Sequence, residues 1–209
     1  MKKYFEKGLV VFNESQKETP CKVDNSQCVN YSDIWDDPEI SIDNGGKNNN
    51  RFGYNSSRGH KGIDILTGPK YKNVHSLMCG EVVSLVNSFK TNEYKASSLG
   101  NTLMIKSKDK DNNLVYILYC HLDEIYVKKG DKIKHGEIIA LSGSTGNASS
   151  DEFPNGKKGH GIKKEFWHCH IEAATKGEGY NNFYSLGKYR IKAEDFMKTK
   201  FDKDGNSIK

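Results

Sequence analysis

From Arg51 onward, apolar residues fall in short runs separated by turn-forming stretches, and no long helical repeat interrupts them. Runs of this length, rich in Val, Ile, Leu and Tyr, suit half-buried or fully buried strands. The pattern predicts an all-β domain. Candidate strands are Gly62 to Leu66, Ser76 to Val86, Asn101 to Ser107, Leu114 to Cys120, Glu137 to Ser142 and Phe166 to Ala173. Turn signals stand between them at Asp109 to Asn113, Lys129 to Asp131 and His135-Gly136. A single short helix is expected, over Ala193 to Lys200.

The chain before Arg51 reads differently. Its first 35 or so positions are polar with little periodicity, and Ile42 to Asn50 is dense in turn formers. Residues 1–50 are therefore expected to be an extension and linker, and 51–209 the domain. At 209 residues the chain can bury a real core. No apolar run approaches the roughly 18 residues needed to span a bilayer. The run Gly8 to Phe12 is too short for the core of a signal peptide. Either a signal segment has been removed or the protein is delivered by another route, and for the second case a secretion-system carrier or cognate inhibitor is the expected partner. The net charge of +5 is spread along the chain, with no interleaving of basic and aromatic residues of the kind single-strand binders use. Nucleic acid is accordingly not expected as a partner.

Five cysteines follow no zinc-ribbon spacing. Cys21 and Cys28 could close a small loop in an oxidising compartment. Cys79, Cys120 and Cys169 lie in apolar segments and are expected to be buried free thiols.

Three histidine motifs stand in order: His60-x-x-x-Asp64, then His121, then His168-x-His170. On a strand, period-2 geometry puts His168 and His170 on one face, with Glu172 continuing it and Cys169 opposite. Glu172 could hold a histidine by hydrogen bonding, as carboxylates behind a metal ligand often do. Asp64 is flanked by two isoleucines, and a carboxylate entering a buried strand needs a partner, of which a metal is one. His121 closes the run Leu114 to Cys120 and is expected at the exposed end of that strand, with Cys120 on its other face. Each motif also has a plain structural reading. Two half-exposed histidines would satisfy His-x-His, and a basic residue or backbone amides would satisfy Asp64. His75, His135 and His160 carry no assignment, although His160 lies in the long insertion Asn147 to Lys164, which could wall a cleft.

Taken together, these residues resemble the lysostaphin-type (LytM-like) zinc metallopeptidases that cut bacterial cell-wall peptides. The likeness runs through Arg51-Phe-Gly53, Gly59 to Ile65, Gly80 to Val83, Gly100 to Ile105, Tyr119 to Ile125, Val127 to Ile133, Gly136 to Gly146 and His168 to Glu172. It implies an antiparallel β-sheet peptidase fold of the duplicated hybrid kind, with a groove over the zinc. It also implies Zn2+ held by His60, Asp64 and His170, a water in the fourth position, and His121 and His168 as the catalytic pair. The implied activity is a metalloendopeptidase acting on peptidoglycan stem peptides or cross-bridges, secreted or periplasmic and cell-wall associated. The sequence departs from the family pattern around His-x-His, where Glu165-Phe-Trp167 precedes it, Cys169 sits inside it and Ile171 follows. The connection from Gly146 to His168 is also long, which bears on substrate choice. Two other readings are a lipoyl- or biotinyl-like binding module, suggested by Gly130 to Ala140, and a degenerate peptidase that regulates a partner. A carrier would need its modified lysine at a hairpin tip, and neither Lys106 nor Lys108 shows that motif.

Overall fold

The computed structural model describes residues 30–53, 59–148, 162–177 and 189–208. Nine strands form one sheet: β1 (Ile63–Leu66), β2 (Asn73–His75), β3 (Gly80–Val86), β4 (Asn101–Lys108), β5 (Leu114–Ile125), β6 (Lys132–Ile133), β7 (Ile138–Ser142), β8 (His168–Ala174) and β9 (Arg190–Ile191). A separate hairpin joins β10 (Lys200–Phe201) to β11 (Ser207–Ile208). The main order is β1-β8-β5-β4-β3-β6, with β7 added to β5, β2 to β7 and β9 to β8. Every strand pair is antiparallel. The domain is all-β, with helical structure limited to single 3-10 turns among the described residues.

Alternation sorts the side chains of the three central strands. Ile63 and Ile65 of β1, Val115, Ile117 and Tyr119 of β5, and Cys169, Ile171 and Ala173 of β8 all enter the main core. Their neighbours Asp64, His168, His170 and Glu172 are thereby left on the other face, where Tyr116, Leu118 and Cys120 form a smaller cluster with Met104 and Ala174. The Tyr119 hydroxyl accepts from the Leu77 amide at 2.9 Å, tying β5 to the turn before β3.

Several expectations change. The predicted strand Ser76 to Val86 begins only at Gly80, and the preceding β2 was not foreseen. β5 does not stop at Cys120 but continues to Ile125, so His121 lies inside a strand and is buried, 4% exposed, rather than at an exposed end. His121 takes a left-handed backbone, φ 61. The ladder shifts register on both sides of it, between Asn101 and Leu103 on β4 and between Leu122 and Glu124 along β5. β5 pairs with β8 before the bulge and with β7 after it, while β4 follows it across to Leu122. The bulge also breaks the simple alternation assumed for Cys120 and His121. The expected helix at Ala193 to Lys200 is a 3-10 turn over Ala193–Phe196 that gives way to β10. Cys79 is not a free thiol but disulfide-bonded, whereas Cys120 and Cys169 are free and buried. The Cys21 and Cys28 expectation lies outside the described residues, as do His160 and most of the insertion from Asn147.

The segment before Arg51 packs onto this domain where it is described. Ile34, Trp35 and Ile40 belong to the main core. Ile40 bridges to Ile65, the Ser41 amide donates to the Asp64 carbonyl at 2.9 Å, and the Leu66 amide donates to the Glu39 carbonyl at 2.8 Å. The free edge of β1 is thus covered, which holds the strand that carries Asp64. Asn50 ties the following loop together through the carbonyls of Ser41 and Gly46, at 2.9 and 3.2 Å. Arg51 reaches across to Glu194, with Nη2 2.9 Å from the carboxylate, and donates to the Asp202 carbonyl.

Candidate active site

β1 and β8 set Asp64 directly opposite His170 in the ladder. On paired strands such residues share a face, so the two side chains meet: His170 Nδ1 lies 2.6 Å from Asp64 Oδ1. His60 stands just before β1, and its Nε2 is 3.2 Å from Asp64 Oδ2. The His60 and His170 rings pack edge-on at 4.9 Å between centroids. Among the described residues, His60, Asp64 and His170 form a group whose ligand atoms all lie within 4.8 Å of one another. All three are buried, at 5%, 1% and 6% exposure. Two imidazoles and a carboxylate converging in a buried site could hold a metal ion, and they are donor types that zinc accepts.

Gly62 makes this closeness possible. A Cβ on it would fall 2.1 Å from the Ile171 carbonyl oxygen and 3.0 Å from Cε1 of His170. Only a residue without a side chain lets the chain pass so near the imidazole.

His121 and His168 stand beside the group. Their rings are 5.4 Å apart and perpendicular, and His121 is 6.2 Å from His170. His168 Nε2 approaches Asp64 Oδ1 to 3.6 Å. Each ring is pinned at its other nitrogen by a backbone carbonyl. His121 Nδ1 is 2.8 Å from the Thr145 oxygen, and His168 Nδ1 is 3.0 Å from the Phe166 oxygen. A carbonyl only accepts, so both Nδ1 atoms carry a proton, and in a neutral ring Nε2 is then the acceptor.

The electrostatics follow from burial. Burial alone would raise the Asp64 carboxyl, but His168, His170 and His60 outweigh it and hold it well below the usual range. For His170, burial favours the neutral ring, yet Asp64 and then Glu172 raise it to about 9. His121 is pushed down to about 3, by burial first and then by the neighbouring His168 and His170. It therefore stays neutral at working pH. The Cys169 thiol, between the two histidines in sequence, faces the main core and is raised to about 12 by burial. It plays no part in the donor set.

The sequence did not flag Thr145 or Phe166, whose contribution is a main-chain carbonyl. Thr145 sits where Gly100 and Gly146 touch. A Cβ on Gly146 would meet the Gly100 nitrogen at 2.4 Å, and both glycines have positive φ. The glycines themselves were the available signal. The Thr145 hydroxyl accepts from the Asn101 amide at 2.9 Å and donates to the Leu122 carbonyl at 2.8 Å. The carbonyl that holds His121 is thereby fixed to the strands on either side of it.

Residues 58–181, more than half of the chain, match the sequence model of Peptidase family M23. The chain belongs to that family. Over 88 residues, 42% of its length, this M23 member is 39% identical to the peptidoglycan DD-endopeptidase ShyB of Vibrio cholerae serotype O1. The aligned part spans 17% of that relative. Among solved structures, the M23 chain is similar to the catalytic domain of a prophage-encoded M23 protein from Enterococcus faecalis, at 22% identity and a TM-score of 0.46, covering 78% of this chain and 94% of that one. It is also similar to the catalytic domain of lysostaphin from Staphylococcus simulans, at 22% identity and a TM-score of 0.36, covering 72% and 80%. A zinc-containing peptidase from Vibrio cholerae matches at 25% identity and a TM-score of 0.41, over 70% of this chain and 36% of that one.

Proposed function

We propose that this M23 chain is a zinc-dependent endopeptidase that hydrolyses peptide bonds in peptidoglycan stem peptides or cross-bridges. The observation that carries the reading is the meeting of His60, Asp64 and His170 within 4.8 Å, beside two histidines that both present Nε2. The first three would hold the ion. Zinc, when bound, supplies Lewis acidity that activates water and polarises a carbonyl. His121 and His168 then do the proton work. With Nδ1–H engaged by Thr145, His121 offers Nε2 to take a proton from an attacking water. His168, pinned at Phe166, stands across from it to orient the substrate carbonyl or return a proton to the leaving amine. Burial keeps bulk water from competing for these groups.

The carrier reading finds no support in the positions of its lysines. Lys106 lies within β4 opposite Tyr116, and Lys108 opposite Leu114, neither at a hairpin tip. The degenerate-peptidase reading has no missing residue to rest on. Among the described residues, no helix is long and apolar enough to cross a membrane. The enzyme would meet its substrate outside the cytoplasmic membrane, secreted, in the periplasm or at the wall.

The test joins metal analysis to digestion. His60→Ala and Asp64→Ala should lose zinc. His121→Ala should keep it and lose about 10²–10⁴-fold in rate, as expected for a general base. Mass spectrometry of purified peptidoglycan after digestion should show new peptide termini and no cut glycan. A fully active His60→Ala protein with stoichiometric zinc would sink the ligand set, and intact peptides would sink the substrate.

A further inference from the structure

Glu172 follows His170 by two residues on β8 and shares its face. It is 2% exposed. One carboxylate oxygen, Oε1, lies 3.1 Å from His170 Nε2, while the other accepts from Arg190 Nε at 2.6 Å. Arg190 opens β9, whose pairing with Ala174 brings it alongside β8, and it too is buried. Taking an acid and a guanidinium out of water is costly, and their attraction seldom offsets all of that cost. Stability alone is therefore a weak reason for this pair.

Its geometry suggests a different role. The guanidinium fixes the far oxygen of Glu172, so the near oxygen is held still against the imidazole. His170 then has one nitrogen engaged by Glu172 and the other turned to Asp64 at 2.6 Å. An imidazole whose Nε2–H is given to a carboxylate keeps its Nδ1 lone pair for a cation and becomes a stronger donor. Gly62 closes the approach from the other side, since any Cβ there would press on Cε1 of the same ring.

We propose that Glu172 and Arg190 are a positioning pair that sets the tautomer and ring angle of His170, making Nδ1 its metal-facing nitrogen. This rests on the reading that His60, Asp64 and His170 hold the ion. Neither Glu172 nor Arg190 touches the reacting atoms. Together they decide which nitrogen of His170 does, and how firmly.

The experiment titrates metal-free full-length protein with zinc against a competing chelator, and records the visible spectrum of the cobalt-loaded form and the thermal melt. Glu172→Gln keeps the shape but removes the charge that Arg190 grips, and should weaken zinc binding by about 10–100-fold. The double variant Glu172→Met with Arg190→Met replaces the pair by apolar chains. It should melt at or above the wild-type temperature, yet show the same loss of affinity and an altered cobalt spectrum. Arg190→Lys, which keeps charge without the planar fork, should recover part of the affinity lost in Arg190→Met. A folded Glu172→Gln or double variant with wild-type zinc affinity and an unchanged cobalt spectrum would overturn the positioning role alone. Failure of the wild type to bind zinc, or equal binding by His170→Ala, would overturn the ligand reading and the positioning role together.

Discussion

Replacing Gly62 by alanine should break the site from behind, and the size of the effect follows from the structure. The Gly62 backbone is outside the left-handed region, so alanine can adopt it, and in open space the change would stabilise by about 0.4–1 kcal/mol. Here the new Cβ would lie 2.1 Å from the Ile171 carbonyl oxygen and 2.8 Å from its carbon. Comfortable carbon–oxygen contacts are about 3.3–3.6 Å, so β1 and β8 must part by about an ångström. Overpacking of this kind costs about 1–3 kcal/mol, and each kcal/mol lowers Tm by about 2–4 °C in a chain of this size. The functional loss should be larger than the stability loss. Asp64 and His170 are the next facing pair on that ladder, and a displacement near 1 Å can cost about 100-fold in rate. Thermal melting, zinc competition and the rate of peptidoglycan peptide release would measure the three effects on one protein. A Gly62→Ala protein with wild-type Tm, zinc affinity and rate would refute the claim that the glycine exists to let β1 reach His170.

Two further outcomes are expected. Thr145→Val leaves the Asn101 amide and the Leu122 carbonyl without the hydroxyl that serves both. It should cost about 1–3 kcal/mol in urea unfolding and lower kcat more than it raises KM, because the loosened carbonyl is the one that orients His121. An unchanged kcat would remove Thr145 from the positioning of His121. His75 is pushed below the ordinary histidine pKa by burial, with Asp36 opposing. A depressed histidine disfavours its proton in the folded state, so its stabilising effect is complete above the unfolded pKa and is lost as pH falls from there through the lower folded pKa. Unfolding midpoints from pH 7.5 to about pH 5 should therefore fall less steeply for His75→Gln than for the wild type. Parallel curves would contradict that.

Much of the face bearing the site is legible in the sequence. Along β8 the residues alternate so regularly that His168, His170 and Glu172 had to share a side once the segment was a strand, with Cys169, Ile171 and Ala173 in the core. Asp64 between Ile63 and Ile65 obeys the same rule on β1. Both inferences work because the side-chain period of a strand is a local property of the backbone. Pairing is not local. Nothing within Ile63–Leu66 specifies that Asp64 should meet a histidine 106 positions away, and the register that joins them comes from both strands burying their apolar faces in one core.

His121 shows the limit most clearly. Its sequence neighbours read as the end of an apolar strand. The folded chain instead holds it at φ 61 in the middle of β5, where the strand changes partners and the ring swings toward His168. A left-handed histidine is paid for only when surrounding contacts demand it, and those contacts come from Leu99 and Thr145 on other segments. The same holds for Arg190, one of three closely spaced basic residues in the sequence with Lys188 and Lys192, which becomes the partner of Glu172 once β9 pairs with β8. The sequence by itself determined which residue types could do the chemistry and which strand face they occupy, because period and polarity are written locally. The tertiary structure alone decided which of them touch, which nitrogen each histidine presents, and what holds it there, because those depend on strand register and on backbone groups that every residue shares.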